Sequence, residues 1–245
     1  MKKTIIISLI FFLCLNTFGQ EKKQNNFADW EIKPALVVAA KNSKAPSDAI
    51  ILFSGHLSQW EHIDGSKIEW PASKKRFKIL PETKSIHTKK SFGDCQLHVE
   101  WRVPKNEDHG KKMNYGNSGI YFMEQYEVQV YDSYNNHRKI YSNGQAGSIY
   151  KQYSPLVNVC KKPGKWESYD IVFTAPQFKD DGTLKSPAYF TVFHNGVLIQ
   201  NHVELTGPTT HLKYTEYKKH PEKMPLLIQS HGSAVEYRNI WIRDL

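Results

Sequence analysis

Cysteine is scarce in this chain of 245 residues: only Cys14, Cys95 and Cys160 are present. That excludes a disulfide-stapled scaffold, and none of the three has the CxxC spacing of a zinc site. The HExxH, HxH and DxDxDG patterns are missing as well, so no metal site is expected despite 11 histidines. No GxGxxG or GxxxxGK[ST] run offers a phosphate cradle, and no cofactor is expected. Ser118 stands in Asn117-Ser118-Gly119 rather than in a GxSxG elbow, which argues against a serine hydrolase. Long apolar runs are lacking too. Ile5–Leu15 is shorter than the roughly 20 residues of a spanning helix, so no transmembrane segment is expected. No apolar repeat of helical period persists beyond two turns, which excludes a helical bundle.

Charge of one sign is in excess, but it is dispersed. The formal charge is +9, and its lysines come in scattered pairs such as Lys74-Lys75 and Lys161-Lys162. No arginine-rich helix gathers them, so the pattern reads as surface charge rather than nucleic-acid binding. Lys2 and Lys3, the Ile5–Leu15 run and small residues Thr17 and Gly19 form a signal-peptide pattern over residues 1–19. The protein is therefore expected to be exported, periplasmic or secreted. Leu13 stands before Cys14 where a lipoprotein signal carries a small residue, so a lipid anchor is the less favoured reading. Residues 20–48 read as an N-terminal arm and 49–245 as one domain. Whether Cys95 and Cys160 pair is left open by their spacing.

What the chain does have is alternation. Cys95–Val103 places Leu97, Val99, Trp101 and Val103 on one face and Gln96, His98, Glu100 and Arg102 on the other. Trp166–Thr174 alternates likewise, and Asn195-Gly196 between two β-favouring runs predicts a two-residue hairpin. Further strands are expected at Ala49–Phe53, Lys67–Trp70, Phe77–Leu80, Gly147–Tyr150, Pro225–Gln229 and Ala234–Arg243, with a short edge strand or packed arm at Leu36–Ala40. Short strands, frequent turns and long loops indicate an all-β sandwich.

The richest stretch is Tyr115–Asp132, YGNSGIYFMEQYEVQVYD. In its second strand Val128 and Val130 face one way while Glu127, Gln129 and Tyr131 face the other. A bend or bulge would bring Asp132 to the same side. Carboxyls so arranged can act as acid, base or nucleophile, and a solvated strand face accounts for the pattern equally well. His98, Glu100 and Arg102 form a second ionisable row, which a surface ion-pair ladder also explains. His231, beside Gly232 at a strand end, can enter a cleft, although lone histidines are more often structural. Trp60, Trp70, Trp101, Trp166 and Tyr121 offer sugar-stacking rings or core packing.

Several short stretches occur together in order: Leu52-Phe53-Ser54-Gly55, Asn117-Ser118-Gly119-Ile120-Tyr121, Tyr126–Asp132, Gly147-Ser148-Ile149-Tyr150, Pro163-Gly164-Lys165-Trp166, His194-Asn195-Gly196-Val197, Gln229-Ser230-His231-Gly232 and Tyr237–Arg243. In this order they resemble the 3-keto-disaccharide hydrolase domain family, formerly domain of unknown function 1080. The resemblance covers Ala49–Leu245. It implies a concanavalin A-like jelly-roll sandwich and exported breakdown of glycosides that a separate sugar 3-dehydrogenase has oxidised at C3. Carried onto matching positions, it implies Glu127, Asp132 and His231 as catalytic groups. Gln129, Asn117, Glu100, His98, Arg238 and Tyr150 would bind the carbohydrate substrate. Met123 departs from the family, where many members have arginine, and this implies either a different sugar preference or absence of the activity. Gln129 stands where jelly-roll glucanases have a second carboxylate, which ranks an ordinary glucanase last. A non-catalytic carbohydrate-binding module of the same shape is the alternative function.

Overall fold

The computed structural model describes residues 36–39, 44–105, 115–137, 139–211 and 215–245. The proposed signal peptide, Cys14 and most of the N-terminal arm lie outside these residues. In chain order the strands are β1 (Ile50–Phe53), β2 (Trp60–His62), β3 (Phe77–Lys78), β4 (Ile86–Phe92), β5 (Cys95–Arg102), β6 (Ser118–Phe122) and β7 (Tyr126–Val130). They continue with β8 (Glu167–Thr174), β9 (Gln177–Phe178), β10 (Leu184–Ser186), β11 (Tyr189–His194), β12 (Val197–Glu204), β13 (Met224–Ile228) and β14 (Glu236–Asp244).

Alternation along β5 sets the first sheet. Leu97, Val99 and Trp101 are buried, while His98 and Arg102 on the opposite face remain partly exposed. Strand β5 pairs antiparallel with β14 on one side and β8 on the other. The sheet runs β1-β14-β5-β8-β11-β12, with β3 added beside β14. At the β11–β12 turn Asn195 and Gly196 both have positive φ, 52° and 80°, the left-handed pair that a type I′ hairpin needs. The second sheet runs β2-β4-β13-β6-β7, and β9 and β10 form a small separate ribbon.

The two larger sheets pack face to face through aromatic side chains, making a concanavalin A-like jelly-roll sandwich. Phe122 of β6 meets Phe173 of β8 at 5.0 Å and Phe190 of β11 at 5.1 Å between ring centres. Such pairs contribute about 0.5–1.5 kcal/mol each beyond their buried area. Trp60, Trp70 and Trp101 are core residues rather than stacking platforms. Cys95 and Cys160 are both free thiols, and burial pushes each above the usual thiol range.

Three strand expectations are corrected. Lys67–Trp70 forms no strand; Trp70 packs inward and its indole donates to Thr83 Oγ1 at 2.7 Å. Residues 36–39 form no strand either. Gly147–Tyr150 is a turn in which Gly147 has φ 79°, with only Ile149 bridging to Val128 and Tyr153. Conversely, the lysine-rich β4 gave no alternating apolar signal, because only Ile86, Thr88 and Phe92 of its side chains are buried.

Candidate active site

Three strands of the second sheet present alternate residues on the face away from the core. Gly119 lies opposite Gln129 and Tyr121 opposite Glu127 in the β6–β7 pairing. Beyond the end of β13, the Gln229 amide donates to the Gly119 carbonyl at 2.9 Å. Asn117, Gly119 and Tyr121, then Glu127 and Gln129, then Gln229 and His231 thus share one face. Ile120, Phe122, Val128, Val130 and Ile228 take the other face and fill the core. Tyr150, Thr209, Thr210 and His211 wall the polar face into a cleft of about 140 Å³.

Local sequence makes the seat for the carboxyl. A Cβ at Gly119 would overlap Glu127 Oε1 and stand 2.8 Å from Tyr121 Cε2. Glycine here is therefore a matter of space for Glu127. The Glu127 backbone N–H donates to Thr209 Oγ1 at 3.0 Å, and that hydroxyl donates to the Gln125 carbonyl at 3.0 Å. This clamp fixes the loop beside β7.

Glu127 is only 2% exposed, and burial pushes its carboxyl up to about 8, partly offset by a hydrogen bond from the Tyr121 phenol. Gln229 Nε2 donates to the Tyr121 oxygen at 3.1 Å. The Tyr150 hydroxyl lies 2.9 Å from both Tyr141 Oη and His211 Nδ1. Its ring stacks on His211 with 6.3 Å between centres and 15° between planes. Gln129 and Asn117 then link Glu127 to His231: Gln129 approaches Glu127 Oε1 to 2.7 Å, Asn117 Oδ1 lies 3.2 Å from Gln129, and Asn117 Nδ2 lies 3.3 Å from His231 Nδ1.

Six of the residues singled out in the sequence thus converge: Glu127, Gln129, Asn117, Tyr121, Tyr150 and His231. Asp132 does not join them. Its backbone N–H bonds the Tyr115 carbonyl at 2.8 Å, and its carboxylate accepts from Tyr134 N at 3.3 Å and lies 3.4 Å from His137 Nε2. The bend after β7 turns it toward Trp101, Ser133 and Cys160 instead. His98, Glu100 and Arg238 are also elsewhere, on the outer face of the first sheet. There His98 Nδ1 lies 2.6 Å from Asp170 Oδ1, Arg238 Nε donates to Glu100 Oε2 at 2.6 Å, and Asn239 Nδ2 donates to Glu100 Oε1 at 2.8 Å. Burial opposes the charge on Glu100, but hydrogen bonds from His98, Asn239 and Arg238 outweigh it and hold the carboxyl at about 2. Burial likewise opposes the charge on His98, and Asp170 and Glu100 lift it to about 9. Arg102 and Arg238 lie over the Trp166 ring at 4.6 and 4.1 Å, which occupies that indole. Met123 is buried in the core and has φ 53°, so it does not line the cleft.

Thr209, Thr210, His211 and Gln229 join the cleft without having been singled out as site residues. Gln229 had a signal: it stands two residues before His231 at a strand end and shares its parity. His211 had none, since it sits in a long loop. Among the described residues, Cys160, Glu167 and His194 bring ligand atoms within 4.8 Å of one another, a set able to hold a metal ion. Hydrogen bonds already engage both Glu167 oxygens: Lys161 N–H on Oε1 at 2.7 Å, and Asn195 Nδ2 on Oε2 at 2.5 Å. The carboxylate thereby clamps the β11–β12 turn.

An antiparallel sandwich with a buried carboxyl at the floor of a polar, aromatic-walled cleft has the build of a sugar-binding or sugar-cleaving domain. The chain belongs to the 3-keto-alpha-glucoside-1,2-lyase-like domain family, whose model matches residues 48–243. It is 44% identical to a Parabacteroides distasonis protein of known structure described as a candidate glycosyl hydrolase, with a TM-score of 0.81 over 88% of this chain and 93% of that one. Two further candidate glycosyl hydrolases from the same organism share the fold at 19% identity. Their TM-scores are 0.62 over 85% of this chain and 98% of that one, and 0.60 over 80% and 99%. None of the curated proteins searched matches the chain. The protein is thus a carbohydrate-active member of this family. Among the described residues no helix is long and apolar enough to cross a membrane.

Proposed function

We propose that this protein cleaves 3-keto-glycosides, with Glu127 as the base and His231 as the acid. A ketone at C3 acidifies the C2 proton. Glu127 takes that proton, the C2–H electrons form a C1=C2 double bond, and the C1–O bond breaks. The departing oxygen receives a proton from His231. Water then adds across the double bond, placing OH on C1 and H on C2, and gives a 3-keto-monosaccharide. Asn117 and Gln229 offer amide groups to the ketone and neighbouring hydroxyls, and Tyr150 stacked on His211 walls the sugar. Asp132 has no part in this scheme because it lies outside the cleft.

The observation that carries the reading is the Glu127 carboxyl itself, buried at the cleft floor and raised to about 8. A base of that strength suits proton abstraction next to a ketone far better than an ordinary carboxylate does. Export through the residue 1–19 signal and supply of the ketone by a separate sugar 3-dehydrogenase complete the proposal.

Incubation with 3-keto-disaccharides should release 3-keto-monosaccharide, followed by mass spectrometry. Glu127→Gln should lower the rate at least about 100-fold. No release across a panel of α- and β-linked keto-glycosides would sink the proposal. Calorimetric binding of intact glycans without product would instead assign a binding module.

A further inference from the structure

The polar chain from Glu127 through Gln129 and Asn117 to His231 has a property that its individual contacts do not. Each of its three gaps is of hydrogen-bond length: 2.7, 3.2 and 3.3 Å. Each gap needs one donor and one acceptor. A primary amide carries a donor at one end and an acceptor at the other, so fixing one amide fixes the next.

Only two arrangements satisfy all three gaps. With Glu127 ionised, Gln129 Nε2 donates to Glu127 Oε1, Asn117 Nδ2 donates to Gln129 Oε1, and His231 Nδ1–H donates to Asn117 Oδ1. Neutral His231 then has a bare Nε2. With a proton on Glu127 Oε1, every donor reverses. Glu127 donates to Gln129 Oε1, Gln129 Nε2 to Asn117 Oδ1, and Asn117 Nδ2 to His231 Nδ1. Neutral His231 then carries its hydrogen on Nε2. The Ser118 carbonyl, 3.3 Å from the Gln129 atom that faces Glu127, accepts a second hydrogen bond in the first arrangement. Glu127 and Gln129 are 2% and 4% exposed, so little water is at hand to repair a mismatch between them, while the Asn117–His231 gap lies at the exposed end of the chain of amides.

We propose that Gln129 and Asn117 are positioning residues forming a reversible amide relay, which ties the ring tautomer of His231 to the charge of Glu127. The relay deepens the function proposed above and rests on it for its use: ionised Glu127 is the base while His231 Nε2 is bare, and once Glu127 has taken the C2 proton the reversed relay leaves on His231 Nε2 the hydrogen that the departing oxygen receives. It also accounts for glutamine at position 129. An ionised carboxylate there only accepts, so it cannot face an ionised Glu127.

The other groups around Glu127 do not blur the coupling. Tyr121 of β6, Tyr150 of the neighbouring turn and Tyr237 of β14 interact with it electrostatically, and burial pushes all three above the usual phenol range. The other ionisable side chains lining the cleft are the imidazoles of His211 and His231.

The test is 15N NMR of the substrate-free protein labelled at histidine, with His231 assigned through His231→Gln. As pH rises through the titration of Glu127, the pyrrole-type and pyridine-type signals of neutral His231 should exchange places between Nε2 and Nδ1. Asn117→Asp, which presents acceptors alone, should hold the hydrogen on Nδ1 throughout. Gln129→Met should abolish the link to Glu127 in a folded protein. A His231 tautomer that is constant in the wild type, or that still follows Glu127 in a folded Gln129→Met protein, would overturn the relay. No step requires turnover, so a tautomer exchange in a protein inert toward keto-glycosides would uphold the relay and reject the enzymatic reading.

Discussion

Glu127 has its unusual acidity because of what surrounds it. Its strand places it on the polar face, Gly119 leaves room for it, and the Thr209 loop shields it from water. The backbone at Gly119 is outside the left-handed region, so alanine is excluded there by space and not by φ. Gly119→Ala should consequently keep the sandwich, as read by circular dichroism, while displacing the carboxylate. A displacement near 1 Å costs about 100-fold in rate, and that is the expected fall in kcat/KM. Wild-type kinetics in a folded Gly119→Ala protein would show that the carboxylate seat is not critical.

Strands decide which polar rows become a site. The row on β5 and the row on β7 look alike in sequence, each with polar groups at alternate positions. On β5 it faces outward beside β14, where Glu100, Arg238, Asn239 and His98 satisfy one another. Glu100→Ala should therefore destabilise the protein by about 1–3 kcal/mol in urea titrations, because it strips the partner from a half-buried guanidinium. It should leave kcat/KM within about threefold of wild type, under about 0.7 kcal/mol of transition-state stabilisation. A large kinetic loss would place that row in catalysis after all. Alternation told from sequence which side chains share a strand face, and so the pairing of Glu127 with Gln129 was legible. It did not tell which sheet face loops would wall, because that depends on pairing between strands far apart in the chain. Asp132 was misplaced for a related reason: it stands two residues past Val130, the last residue of β7, where strand parity no longer applies. The hairpin at Asn195-Gly196 was legible because its two left-handed residues are a local requirement, whereas β4 was hidden by its exposed lysines.

At the scale of the whole molecule, the sandwich divides its labour. Aromatic packing between the sheets provides a rigid support, and the first sheet's outer face is closed by ion pairs. The β6–β7–β13 face is left polar and walled by the Tyr150 turn and the Thr209–His211 loop. A base supported on strands, rather than carried on a loop, keeps its position while substrates enter and leave. The central claim is that ionised Glu127 removes the C2 proton. The most direct measurement is the pH dependence of kcat/KM on a 3-keto-disaccharide. With the carboxyl at about 8, the value should climb about tenfold per pH unit through the neutral range and level off above pH 8. A profile that is already flat at pH 6, as an ordinary exposed carboxylate would give, would contradict the account.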